Sequence, residues 1–394
     1  MISDVYFPRV NGVSTSIQSF ANELIHQGHE VTLIAPDYGE NTQEEFDIMR
    51  APSRRVIVDP EDRMMKMQWV LDHTRLLAEA DYDLIHIQTP FVAHYLGIKL
   101  ARLLNLPVIE TYHTYFEEYL YNYVPYFPKG LLRYMARHFS SSQCNSVEHV
   151  IVPSTPIEQA LREYGVQTEI SVLPTGLNLE LFQGGNGRRF RQKHGIDHER
   201  PVALYVGRVA HEKNIRFLLD AMTQAIRKMP DMLFIVAGEG PAEKWLHQQV
   251  RTAGLENNLF QIGYMDRNTE LLDCYRAADV FVFASRTETQ GLVLLEAMAL
   301  GTPVVSTAVL GTKSVLVDGQ GALIATEEIE DFSAKVIHLL TDHAAREQLS
   351  QSGMHYAEQW SIAANTERLV EHYQTLTLEA YTQGLMAEIN NEVS

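Results

Sequence analysis

Read from its N-terminus, the chain alternates between two hydrophobic patterns. Short apolar runs rich in β-branched residues, at 31–35, 84–87, 108–111, 150–152 and 171–173, have the length and composition of buried strands. The stretches between them, at 14–27, 70–80, 95–104 and 129–143, carry apolar residues at helical spacing. Strand, helix and strand in steady alternation predict a parallel, doubly wound α/β sheet, because parallel neighbours need a crossover and a helix supplies it. The pattern pauses at the turn-rich segment Leu173-Pro174-Thr175-Gly176-Leu177-Asn178 and then restarts, with strands expected at 203–206, 233–237, 260–262, 280–283 and 304–306. The expected organisation is an N-terminal domain over 1–173, a linker over 174–178 and a second domain over 179–360. A final helix is expected around 361–378. In open α/β sheets ligands bind at the carboxyl ends of the strands, so two such domains imply a cleft there.

Bulk properties narrow the function without choosing it. At 394 residues the chain can hold two domains with separate cores. The net charge of −18 is evenly spread: residues 1–173 carry 13 Lys+Arg against 22 Asp+Glu, and the remainder 19 against 28. That balance argues against nucleic acid as a partner and offers no global attraction to anionic lipid. Cys144 and Cys274 stand far apart without zinc-ligand spacing, which predicts no metal and a reducing, cytoplasmic compartment. No uninterrupted apolar run reaches membrane-spanning length, and residues 1–10 lack the apolar stretch of a secretory signal. A soluble or peripheral protein is expected.

The densest chemistry lies in Glu288-Thr289-Gln290-Gly291-Leu292 and the following Val293-Leu294-Leu295-Glu296, just after the strand at 280–283. A glycine turn opening a helix presents unpaired N–H groups and the positive end of the helix dipole, so a diphosphate fits near Gly291 and Leu292. Two carboxylates flank that tip, and each offers acceptors only: Glu288 suits sugar hydroxyls and Glu296, within the helix, suits the two hydroxyls of a ribose. Either Glu alone also fits an ordinary helix-start acid. Together with Gly301-Thr302-Pro303-Val304, the start of the next strand, they point to a nucleotide-sugar site.

Gly207-Arg208 closes another strand and Lys213 follows five residues after Arg208. On one loop, a planar guanidinium fork and a mobile ammonium can both reach a diphosphate, although a solvated pair of surface cations is the plain alternative. Gly12 precedes a helix and can let a phosphate or sugar approach the backbone. His113, after the strand at 108–111, can stabilise charge at an anomeric carbon or serve as a buried structural histidine. His86 lies within a strand and reads as structural. Gly238, in Gly238-Glu239-Gly240-Pro241, marks a second Gly-rich turn that could line the nucleotide pocket.

The spacing of Glu288 and Glu296 resembles the carboxylate-x7-carboxylate signature of retaining glycosyltransferases of the GT-B fold. Thr287-Glu288-Thr289-Gln290-Gly291-Leu292 is most similar to enzymes that glucosylate diacylglycerol. The resemblance implies two Rossmann-like domains facing a deep cleft, with helices over 361–394 crossing back to the first. It assigns the leaving diphosphate to Arg208 and Lys213, gives Gly12 and His113 places near the transferred sugar, and makes a divalent metal unnecessary. It further implies UDP-glucose as donor, no separate cofactor, and front-face substitution in which the departing phosphate takes the acceptor's proton. Two departures stand out. Only Met1-Ile2-Ser3 precede Asp4-x-Tyr6-x-Pro8, where relatives have a longer first strand, so a truncated strand or an upstream start is expected. Leu310-Gly311 with Lys313 replaces the relatives' glycine pair and acidic residue.

The acceptor is less sharply marked. Residues 112–139 hold ten aromatics in 28 positions against 9% overall, and end in Lys129, Arg133, Arg137 and His138. Such a segment suits peripheral contact with the inner membrane face, or a core helix with solvated cations. The similarity of Tyr112-His113-Thr114-Tyr115-Phe116-Glu117-Glu118-Tyr119 to lipid glucosyltransferases favours a lipid acceptor such as diacylglycerol. A soluble acceptor, such as an inositol phosphate or an oligosaccharide, and a silent sugar-nucleotide binder are the alternatives.

Overall fold

The computed structural model of the protein describes residues 1–39, 44–56, 63–115 and 128–392. They fall into two units, one of residues 1–176 with the C-terminal helix from Ile362, the other Leu177–Ser361.

The first unit contains β1 (Thr32–Pro36), β2 (Asp47–Ala51), β3 (Ser53–Arg55), β4 (Arg63–Met65), β5 (Ile85–Ile87), β6 (Val108–Thr111), β7 (His149–Val152) and β8 (Glu169–Val172). β5, β6, β7 and β8 pair in that order and in parallel, and β1 pairs in parallel with β2. Ile2, 2% exposed, joins the two sets by bridging Ile34 and Ile87. β5 through β7 are buried along their whole length, and the polar residues they carry are hydrogen-bonded inside: His86 to Thr111 at 2.7 Å, Glu110 to His94 at 3.0 Å and His149 to Ser171 at 2.9 Å. Asp4 caps the helix Val92–Leu104 from a distance: its carboxylate accepts the amides of Phe91 and Ala93, both at 3.1 Å, and the Thr89 hydroxyl at 2.8 Å.

The expected sheet was parallel throughout, but β3 and β4 form an antiparallel hairpin of short, largely polar strands. The single helix expected at 70–80 is two, Met67–Asp72 and Thr74–Glu79. At the break His73 Nδ1 bonds the Trp69 carbonyl at 2.7 Å and the Thr74 hydroxyl donates to the Leu71 carbonyl at 2.6 Å, side-chain bonds that compete with the helical ladder. The last helix, Ile362–Glu392, buries Ile362, Leu369 and Leu376 at seven-residue spacing, which is one face over two turns. That face packs with Phe20, Leu24, Ile109, Ile151 and Leu173, so the chain's end completes the core of its beginning.

The second unit holds β9 (Val202–Val206), β10 (Leu233–Ala237), β11 (Leu259–Ile262), β12 (Val280–Phe283), β13 (Val304–Thr307) and β14 (Ala322–Ala325). They form one parallel sheet in the order β11-β10-β9-β12-β13-β14. The winding direction reverses between β9 and β12. At such a switch point the loops leaving the two strands diverge to opposite faces and open a crevice for ligands. The loop after β9 carries Gly207, Arg208 and Lys213, and the loop after β12 carries Glu288.

Candidate active site

The two loops at the switch point meet through charge. Lys213, at the end of a short 3-10 turn His211–Lys213, donates to Glu288 Oε1 at 2.5 Å. Arg208 Nη1 lies 3.5 Å from Glu212 Oε1, and its carbonyl accepts the Tyr205 hydroxyl at 2.9 Å, which fixes the loop backbone against the sheet. All four charged side chains stay partly open to solvent, between 8% and 24% exposed. An incoming polyanion can therefore exchange for Glu288 at Lys213 without a buried charge being stranded, whereas Glu212, at 8%, is nearly covered.

Glycines hold these loops close together. Gly207 and Gly238 adopt φ of 153° and 131°, and a Cβ on Gly238 would lie inside the contact radius of the Gly207 carbonyl oxygen. Gly238 thus has a packing reason of its own. Its replacement by Ala is expected to destabilise the second unit by about 2–4 kcal/mol, from strain plus a backbone clash, readable by urea denaturation. Gly291 takes φ 97° at the N-cap of the helix Leu292–Ala299, a left-handed backbone that glycine adopts without a Cβ penalty. Gly311, in the loop that departs from the relatives' pattern, donates its amide to the Glu288 carbonyl at 2.9 Å. A Cβ there would collide with the Thr289 carbonyl. That loop therefore positions the Glu288 backbone.

Glu296 lies in the second turn of the same helix and is 2% exposed. One oxygen accepts from Arg267 Nη2 at 2.7 Å and the other from the Tyr275 hydroxyl at 2.9 Å. Burial opposes the charge on Arg267, yet Glu296 and Tyr275 hold its guanidinium above its ordinary range. Burial, then Glu296, push the Tyr275 phenol up, so it stays a donor. A carboxylate offers about four lone-pair positions, so these bonds leave acceptors for two hydroxyls. Arg267 and Tyr275 are absent from the sequence reading, since they reach Glu296 from 29 and 21 positions away by tertiary folding alone.

In the first unit, His113 lies two residues beyond β6, half-buried, with Nε2 2.9 Å from Gln88 Oε1. An amide oxygen only accepts, so Nε2 carries the proton and Nδ1 is the acceptor face. Burial pulls His113 down to about 4. The ring is therefore neutral at neutral pH, and the stability this gives is complete above the unfolded value of about 6.5 and fades as pH falls through 4. Activity should show no ionisation near pH 6.5 from this residue. A kcat/KM profile with such a limb that vanishes in H113N would contradict that. His86 is structural, wedged between the hydroxyls of Tyr373 at 2.6 Å and Thr111 at 2.7 Å. Gly12 opens the helix Gly12–His26, with nothing within 4 Å of where its Cβ would be. Its neighbour Asn11 caps that helix by accepting the Ser14 amide at 2.8 Å.

Of the aromatic segment at 112–139, residues 116–127 lie outside the described residues. Beyond them, the helix Lys129–Cys144 has no acidic residue. It buries Leu132, Ala136, Ser140 and Gln143 and exposes Leu131, Tyr134 and Met135 at 46%, 67% and 53%. Among the described residues, no helix is long and apolar enough to cross a membrane.

Residues 187–355 match the family model "Glycosyl transferases group 1", and residues 10–181 match "Glycosyltransferase Family 4". The alpha-monoglucosyldiacylglycerol synthase of Streptococcus pneumoniae is 35% identical over 318 residues, covering 78% of this chain and 70% of that protein. The chain is a group 1 glycosyltransferase of the GT-B fold. This glycosyltransferase is also 27% identical to a D-inositol 3-phosphate glycosyltransferase of Corynebacterium diphtheriae, over 92% of this chain and 89% of that one. Among solved structures, Anabaena HepE in complex with UDP-glucose superposes with a TM-score of 0.76 at 17% identity, covering 95% of this glycosyltransferase and 99% of that chain, a likeness of fold.

Proposed function

We propose that this glycosyltransferase moves glucose from UDP-glucose to diacylglycerol or a similar lipid, with retention at the anomeric carbon and without a metal. The observation that carries the donor half is the contact of Lys213 with Glu288, which joins the loop after β9, bearing Arg208, to the loop after β12, leading into the helix at Leu292, at the switch point between those strands. Arg208 and Lys213 neutralise the leaving diphosphate, the tip at Gly291 and Leu292 adds N–H donors, Glu288 takes sugar hydroxyls, and Glu296 takes the ribose. Gly207 and Gly238 shape the nucleotide side of this pocket, while Gly12 and His113 serve the transferred sugar. Substitution on the front face, with the departing phosphate receiving the acceptor's proton, asks the protein only for positioning and electrostatics.

For the acceptor, support comes from the name of the Streptococcus pneumoniae relative and from the helix Lys129–Cys144. Apolar side chains exposed beside Arg133 and His138, with no acid on the helix, suit a bilayer interface at the cytoplasmic face in a chain that is otherwise strongly acidic. Co-flotation with anionic liposomes containing diacylglycerol, together with hexose transfer to that lipid, is the expected result. Replacing Leu131, Tyr134 and Met135 by Asp should lower flotation by ~10-fold or more without unfolding, because all three side chains already face water. Neither flotation nor lipid product from the parent chain would sink the lipid assignment. The Corynebacterium diphtheriae relative supports a second reading, transfer to an inositol phosphate, which product formation in lipid-free buffer would favour.

A further inference from the structure

Two rungs connect the loops that bear the donor-gripping charges. The inner rung is the ion pair of Lys213 with Glu288. The outer one centres on Glu327, just beyond the carboxyl end of β14. Glu327 Oε1 accepts from Asn214 Nδ2 at 2.9 Å, and Arg286 forks onto both carboxylate oxygens, through Nη2 to Oε1 and through Nε to Oε2 at 3.1 Å. Asn214 is the residue next to Lys213 and holds a left-handed backbone, φ 57° and ψ 32°. Arg286 stands two residues before Glu288. One carboxylate thus ties the loop after β9 to the loop after β12 without touching Lys213 or Glu288.

A donor that draws Lys213 onto phosphate and Glu288 onto sugar hydroxyls opens the inner rung. The loops would then be free to spread at the moment their charges must be held in place. We propose that Glu327 is a positioning residue, a strap that keeps the two loops in register once Lys213 and Glu288 have separated onto the donor. This rests on the reading of Lys213 and Glu288 as donor-binding groups. A plain stabilising role does not account for the arrangement, because Arg286 is 57% and Glu327 30% exposed and pairs so open to water add little to stability. A guanidinium fork on a carboxylate does fix orientation, and the added Asn214 bond makes the tie three-way. The groove lined by Asn214, Phe217, Arg286 and Glu327 leaves this strap accessible to solvent.

The test uses the full chain with Glu327→Gln, which keeps the side chain's shape and removes its charge. In a Lys213→Ala background, where the inner rung is already open, adding Glu327→Gln should quicken hydrogen exchange of the ligand-free protein ~5- to 10-fold in peptides spanning 208–216 and 284–291, and leave it unchanged elsewhere, with the melting temperature near that of Lys213→Ala alone. In transfer assays Glu327→Gln alone should lower kcat/KM ~10-fold, mostly in kcat, and the same change in a Lys213→Ala background should cost less than ~2-fold, because the strap acts through Lys213 and Glu288. Unchanged exchange in either loop, or equal losses in both backgrounds, would overturn the proposal. Should Glu327→Gln fold poorly, Asn214→Ala and Arg286→Met each cut one arm of the tie and must reproduce the exchange result. A parent chain that transfers nothing would defeat the functional reading alone, since the exchange result stands without a substrate.

Discussion

Replacing Lys213 by Ala is expected to lower kcat/KM for glycosyl transfer by ~100- to 1000-fold with the fold intact. Two effects combine. The ammonium that offsets charge building on the departing diphosphate is lost, and Glu288, which Lys213 contacts at 2.5 Å, is left as an uncompensated carboxylate facing an anionic donor. Donor KM should therefore rise as well as kcat fall. Lys213→Arg, keeping charge but with a wider planar head, should recover part of the loss. Arg208→Ala should cost about as much in kcat, since its guanidinium lies on the same loop. Steady-state kinetics with the donor varied at saturating acceptor separate the two parameters, and a Lys213→Ala enzyme within threefold of the parent would remove Lys213 from the site.

Replacing Glu296 by Ala is expected to act chiefly on stability, by ~2–4 kcal/mol in the second unit. The change strands two partners at once: Arg267 loses the carboxylate that keeps its charge tolerable, and the buried Tyr275 hydroxyl loses its acceptor. The larger figures typical of broken buried pairs are reduced because the Arg267 side chain keeps 28% of its surface in water. Urea denaturation of the ligand-free protein reads this directly. Tyr275→Phe, which removes only one of the two bonds, should cost about 1 kcal/mol. To isolate the contribution to donor binding, Glu296→Gln is the better variant, since it still accepts one bond and still fills the space. A Glu296→Ala protein as stable as the parent would contradict the observed network.

The contrast between these two carboxylates shows what a sequence can carry. Glu288 is legible because it follows a buried apolar strand and precedes a glycine turn, and strand ends are where ligands collect in parallel sheets. Its neighbour in space, Lys213, is legible for the same reason at the end of β9. Arg267, Tyr275, Gln88 and Glu327 carry no such mark: each reaches its partner from 20 or more positions away, as Glu327 reaches Arg286 across 41. Strands such as β10 and β12 announce themselves because they are covered on both faces, whereas β3 and β4 are three residues each and, apart from Met65, only partly covered or exposed. The break at His73 escaped because it depends on side-chain bonds to the backbone rather than on hydrophobic spacing.

Mass spectrometry of reaction products, after incubation of the purified chain with UDP-glucose and diacylglycerol liposomes, bears most directly on what the molecule does. A diacylglycerol species heavier by one hexose residue, formed together with UDP and strongly reduced with Lys213→Ala, is the outcome the proposed function predicts. An unmodified lipid alongside a hexosylated inositol phosphate or other soluble acceptor would show that glycosyl transfer is real and the lipid acceptor wrong.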